Sequence, residues 1–128
     1  MVTTRTVLVV EDDGDLSKAI KAVIEDQGWR ALCAANGREA LALLERERER
    51  PDLMLVDLFM PVMNGIELLK AIKRNDRLAG IPRVIMTAAN DRMIGVKEDV
   101  PVLYKPVDVE SLCRLLQQYC EPRRAPAI

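Results

Sequence analysis

The chain has 128 residues, enough for one domain that buries roughly two-thirds of its unfolded surface, so a single core is expected. It is 49% hydrophobic but only 3% aromatic, which requires a core of Leu, Ile, Val, Ala and Met and disfavours recognition of bases by stacked rings. Lys and Arg total 19 against 20 acids, and a net charge of -1 makes no field that gathers polyanions, so direct nucleic-acid binding is not expected.

Thr6 to Val10 is a short apolar run of the kind that forms a strand covered on both faces in a parallel sheet. It stops at Glu11-Asp12-Asp13, with Asp13 read as a helix cap. Beyond Gly14, Leu16, Ala19, Ile20, Val23 and Ile24 fall on one helical face that ends near Gly28. A weaker strand is predicted at Arg30 to Ala35, then a helix with Ala40, Leu41, Leu43 and Leu44 inward and the alternating charges of Glu45 to Arg50 as its exposed end. Leu53 to Val56 is the next strand, ending at Asp57. A loop from Leu58 to Asn64, punctuated by Pro61, leads through Gly65 into a helix carrying Ile66, Leu69 and Ile72.

Val84 to Met86 is a fourth strand, ending at Thr87, and a short helix over Arg92 to Lys97 is weakened by Gly95. Val100 to Tyr104 is a fifth strand, ending at Lys105-Pro106. The last helix starts from Asp108 as N-cap and turns Leu112, Leu115, Leu116 and Tyr119 to one face, with Cys113 and Cys120 as packing residues. This gives one α/β domain over residues 1–121 and a disordered tail over 122–128, with strands and helices in alternation and right-handed crossovers.

Histidine is absent, which removes the commonest general base and transition-metal ligand. Cys33, Cys113 and Cys120 form an odd set without C-x-x-C spacing, as in a reduced cytoplasmic protein without structural zinc. No apolar run approaches the ~18 residues that span a bilayer, so no membrane association is expected.

Four of the five strands end in a group capable of chemistry: Glu11-Asp12, Asp57, Thr87 and Lys105. In open α/β sheets ligands bind beyond the carboxyl ends of the strands where strand order reverses, so these residues should share a pocket. Carboxylates held about 4–6 Å apart repel by a few kcal/mol at an effective dielectric near 20. Lys105 offers one compensating charge, and an oxygen-only site suits a hard cation such as Mg2+. A carboxylate beside a metal and a lysine is suited to accept a phosphoryl group.

The order and spacing of Glu11-Asp12, of Asp57 within Asp-Leu-Phe-Met-Pro-Val-Met-Asn-Gly, of Thr87-Ala88 and of Lys105-Pro106 resemble the receiver domain of two-component response regulators, the CheY-like family. The resemblance implies a flavodoxin-like (βα)5 fold, a five-stranded parallel sheet of order 2-1-3-4-5 with helices on both faces. It implies that Asp57 is the phosphoacceptor and binds Mg2+ together with Asp12, with Glu11 acting largely through water and the Phe59 backbone carbonyl completing the protein's ligands. Lys105 would pair with one phosphoryl oxygen, and Thr87 would move toward another, coupling phosphorylation to a shift between two packings. A cis Lys105-Pro106 bond would aim the lysine inward. The implied partners are a sensor histidine kinase or histidine phosphotransfer protein; the downstream target and oligomeric state are not legible.

Two features depart from the family pattern. Val102 stands where an aromatic ring is usual, and the segment from Thr87 to Lys105 is short, which predicts a non-standard output surface and a weak Thr87-linked rearrangement. Phe59, two places after Asp57, can overhang the pocket and hinder attacking water, which predicts slow autodephosphorylation and no catalytic turnover. The alternatives fit less well. A haloacid-dehalogenase-type phosphohydrolase needs an acid where Phe59 stands, and a flavodoxin-like cofactor module would not place three acids in its first loop. A receiver-shaped protein that acts by binding alone is the third reading.

Overall fold

The computed structural model describes residues 5–46, 50–88 and 100–120. Its elements are β1 (Thr6–Val10), α1 (Gly14–Asp26), β2 (Arg30–Ala34), α2 (Gly37–Arg46), β3 (Leu53–Asp57), α3 (Gly65–Lys73), β4 (Arg83–Ala88), β5 (Val102–Lys105) and α4 (Val109–Cys120). Every pairing is parallel and the order is β2-β1-β3-β4-β5, as the resemblance implies. The chain adds β2 on one side of β1 and then β3, β4 and β5 on the other, so the reversal falls between β1 and β3.

Alternation along the buried strands sorts side chains to two covered faces. Val7, Val9, Leu53, Leu55, Val84 and Met86 pack with Ile20 and Ile24 of α1 and Leu112 and Leu116 of α4. Leu8, Val10, Met54 and Val56 pack on the other face with Ala40 and Leu44 of α2 and Leu68 and Ile72 of α3. Each large side chain so enclosed contributes about 1.5–3 kcal/mol relative to exposure. All five residues of β3 are buried, which makes the strand ending at Asp57 the most enclosed of the sheet.

Helix starts follow from capping chemistry. The Asp13 side chain accepts from the N–H groups of Asp15 and Leu16, and Asn64 with Glu67 forms a reciprocal capping box at α3. Asp108 accepts from the Ser111 N–H at 2.7 Å at the start of α4. That bond holds its carboxyl below the usual range.

Boundaries differ from the expectations in three places. β2 stops at Ala34, one residue early, and β4 extends to Arg83 and Ala88. β5 begins at Val102 and not at Val100, because Pro101 has no N–H to give to a ladder, although its carbonyl still accepts from Ile85 N at 3.0 Å. The predicted core without rings is corrected by Trp29, buried among Ile24, Ala31 and Leu53 in one face of the sheet. The expected helix over Arg92 to Lys97 and the expected tail over 122–128 lie outside the described residues, as does the Cys120 side chain; Cys113 is half-buried and Cys33 exposed.

Candidate functional site at the carboxyl edge of the sheet

β1 and β3 are neighbours in register, with Val10 opposite Val56, so the residues that follow them emerge side by side at the reversal point. Glu11 continues the extended chain, its N–H donating to Ala34 O at 3.0 Å. Its side chain is thereby turned into the molecule and is 2% exposed, whereas Asp12 is exposed at the rim. Asp57, the last residue of β3, is 5% exposed. Carboxylate oxygens of Glu11, Asp12 and Asp57 all lie within 4.8 Å of one another. At that separation the buried Glu11 and Asp57 charges repel by about 3 kcal/mol at an effective dielectric near 20.

Lys105 answers part of this charge. Its Nζ lies 2.6 Å from Glu11 Oε1 and 3.3 Å from Asp57 Oδ2. The lysine ends β5 through a cis peptide bond to Pro106, as the resemblance implies. Burial alone would lower its pKa, but the contact with Glu11 and the charge of Asp57 outweigh that and hold it above the usual 10.5.

The remaining site oxygens are thinly served. Glu11 Oε2 accepts from Asp13 N at 3.2 Å and Asp57 Oδ1 accepts from Phe59 N at 3.3 Å, both long for bonds to a carboxylate. Glu11 Oε1 is buried and touches the ammonium at ion-pair distance without hydrogen-bond geometry. Three acids against one ammonium, with oxygen donors only and a buried carboxylate oxygen without a well-formed hydrogen bond, match what a hard divalent cation requires. The donor set therefore fits Mg2+.

The other predicted residues sit close by. Thr87 is one register step beyond Met86, the partner of Asp57, and is 1% exposed. Phe59 is 54% exposed, with its N–H on the Asp57 carboxylate. Asp13 is the α1 cap and not a fourth acid of the cluster, as expected. Gly65 is more than a helix entry: a Cβ there would collide with Asp57 O and stand 2.9 Å from Leu58 Cα. The glycine lets α3 start against the end of β3, a close approach that the sequence signals only as the last residue of the Asp57 motif.

The parallel sheet with an acid and lysine pocket at its reversal point defines a doubly wound α/β domain of the flavodoxin-like kind. The profile of the response regulator receiver domain matches residues 7–117, and the chain belongs to that family, the receivers of two-component signalling. It is 38% identical over 118 residues to an uncharacterised 14.6 kDa protein of the sodA1 3' region of Leptolyngbya boryana, covering 89% of this chain and 88% of that protein. It is 33% identical over 117 residues to sporulation initiation phosphotransferase F of Bacillus subtilis, covering 88% and 91%. The solved structure of chemotaxis response regulator CheY4 of Vibrio cholerae superposes with a TM-score of 0.82 at 30% identity, over 91% of this chain and 99% of that one. The chain spans only about half the length of several transcriptional regulators that it matches. Among the described residues no helix is long and apolar enough to cross a membrane.

Proposed function

We propose that Asp57 accepts a phosphoryl group from a phosphohistidine of a sensor histidine kinase or phosphotransfer protein, and that Asp12, Asp57, Glu11 and the Phe59 carbonyl serve a Mg2+ ion in that step. The observation that carries this reading is the meeting of three carboxylates within 4.8 Å, with Lys105 against two of them. When bound, the metal supplies positive charge that offsets the charge on the transferring oxygens.

The chain's own residues do the rest. A carboxylate oxygen of Asp57 forms the new O–P bond as the N–P bond of the donor breaks, and the electron pair returns to the donor nitrogen, which takes up a proton. Lys105 stands where its ammonium can follow a phosphoryl oxygen on Asp57, and Phe59 N–H steadies the other carboxylate oxygen. Thr87 is buried at the next register step, where its hydroxyl can donate to another phosphoryl oxygen and couple the event to β4 and β5. These 128 residues contain no histidine, so the donor imidazole lies outside them.

The same reading takes the domain to extend over residues 1–121, in the cytoplasm, as a switch that phosphorylates itself from a donor and does not turn over substrate. Phe59, bulky, exposed and two residues after Asp57, is read as shielding the phosphoryl group from water, which favours a long-lived phosphoryl state. Phe59→Asn should shorten its half-life several-fold, as read by phosphate release; an unchanged half-life contradicts the shielding role. The test of the whole reading is mass spectrometry after acetyl phosphate and Mg2+. Wild type should gain one phosphoryl group and Asp57→Ala none. Equal labelling of both, or labelling of neither, overturns it.

A further inference from the structure

The backbone between β3 and α3 takes a path that a relaxed loop would not choose. Val62 has φ of 70°, a left-handed conformation that β-branched residues rarely enter. Met63 N–H donates to Pro61 O at 2.8 Å, closing a three-residue γ-turn around Val62 of the rarer, strained kind. Such a conformation is strained and persists only where neighbouring contacts impose it. The loop ends are fixed by buried Leu58, by Gly65 N–H donating to Leu58 O at 2.9 Å, and by the Asn64 and Glu67 capping box. Phe59 and Val62 lie between those anchors.

What holds the middle comes from another element. Gly37, the first residue of α2, has one of the N–H groups that a helix leaves unserved at its start, and it donates to Met63 O at 2.9 Å. A side chain there would have to displace Met63. A Cβ on Gly37 would lie 2.7 Å from Met63 Cγ, 2.9 Å from its Sδ and 3.0 Å from its carbonyl oxygen. A helix start does not by itself demand this, because a Cβ on Gly14, the first residue of α1, meets nothing within 4 Å. Gly37 is buried, and Met63 packs at the margin of the core face that contains Met60 and Ala40.

We propose that Gly37 is a positioning residue for the metal site: by seating Met63 against the start of α2 it fixes the β3–α3 loop, and so the Phe59 backbone beside Asp57. Gly37 touches neither ion nor phosphoryl group and acts through Met63 and the γ-turn. The inference rests on the reading of the acid cluster as a Mg2+ site. A substitution that lifts Met63 away changes the loop while leaving Glu11, Asp12 and Asp57 on their strands.

Mg2+ titration by calorimetry, with amide hydrogen exchange of the metal-free protein and urea unfolding, tests it in wild type, Gly37→Ala, Gly14→Ala and the double variant Gly37→Ala with Met63→Ala. Gly37→Ala should weaken Mg2+ binding on the order of tenfold or more, as loss of an outer support of a ligand does, and should speed exchange at the residue 63 amide without metal. The double variant should recover most of both, and Gly14→Ala should match wild type. A folded Gly37→Ala protein with wild-type affinity and wild-type exchange at residue 63 overturns the proposal, as does a double variant no better than the single one. Should Gly37→Ala not fold, the double variant decides: folding with near wild-type affinity and exchange supports the proposal, and failure to fold assigns the glycine to the α2 backbone instead. If wild type itself binds no Mg2+, the site reading fails, and the exchange data still show whether Gly37 holds the loop.

Discussion

The two edges of the sheet treat charge in opposite ways. At the amino edge four arginines serve carbonyls: Arg5 donates to Tyr119 O, Arg50 to Arg77 O, Arg77 to Leu44 O and Arg83 to Ala79 O. Asp52 there accepts from Thr6 N at 2.7 Å. These charges complete backbone hydrogen bonding, including carbonyls that helices leave unserved at their last turns. At the carboxyl edge Glu11, Asp12 and Asp57 face one another, with Lys105 paired to Glu11 and Asp57. Charge at one edge stabilises the fold. At the other the carboxylates repel one another and Lys105 offsets only part of that charge.

That contrast predicts effects of opposite sign. The largest belongs to the ion: Mg2+ at about 100 times its dissociation constant should stabilise wild type by about 2.7 kcal/mol in urea unfolding, and Asp57→Asn should lose most of that increment. An equal increment in both proteins would place the ion elsewhere. At the amino edge, Arg77→Ala removes the bond to Leu44 O and should destabilise by about 1 kcal/mol with or without Mg2+. At the carboxyl edge the sign reverses without metal. Asp12→Asn should raise stability by about 0.5–1 kcal/mol because it relieves repulsion, and a metal-free loss would mean that the acids are not in conflict.

The smallest effect lies in the pH dependence of the metal-free protein. The Lys105 pKa is raised on folding, so its stabilising contribution is complete below 10.5 and is lost as pH rises through the higher folded value. Wild type should therefore lose stability relative to Lys105→Met only above pH 10.5, as unfolding midpoints of the two proteins on an alkaline series will show.

Much of this site was legible because the strands write it into the sequence. Four of the five apolar runs stop at a residue with a reactive or charged group, and parallel alternation puts all such stops at one edge, so Glu11, Asp12, Asp57, Thr87 and Lys105 could be grouped without coordinates. Asp13 and Asp108 were legible as caps because a cap is local chemistry. What stayed hidden depends on approach between distant segments. Nothing near Gly37 in sequence points to Met63, and nothing near Glu11 says that its carboxylate rather than that of Asp12 lies against Lys105. Trp29 follows a turn at Gly28 and has no periodic apolar neighbours of its own, so its burial follows only from the packing of α1 over β2. β5 starts later than its apolar run suggests because Pro101 has no N–H to give to the ladder.

Mn2+ can stand in for Mg2+ at an oxygen site and broadens nearby amide signals in an NMR spectrum. Broadening centred on Glu11, Asp12, Asp57 and Phe59, and abolished in Asp57→Asn, is the expected result. Broadening centred on any other face, or an unchanged pattern in that variant, would contradict an ion held where β1 and β3 end.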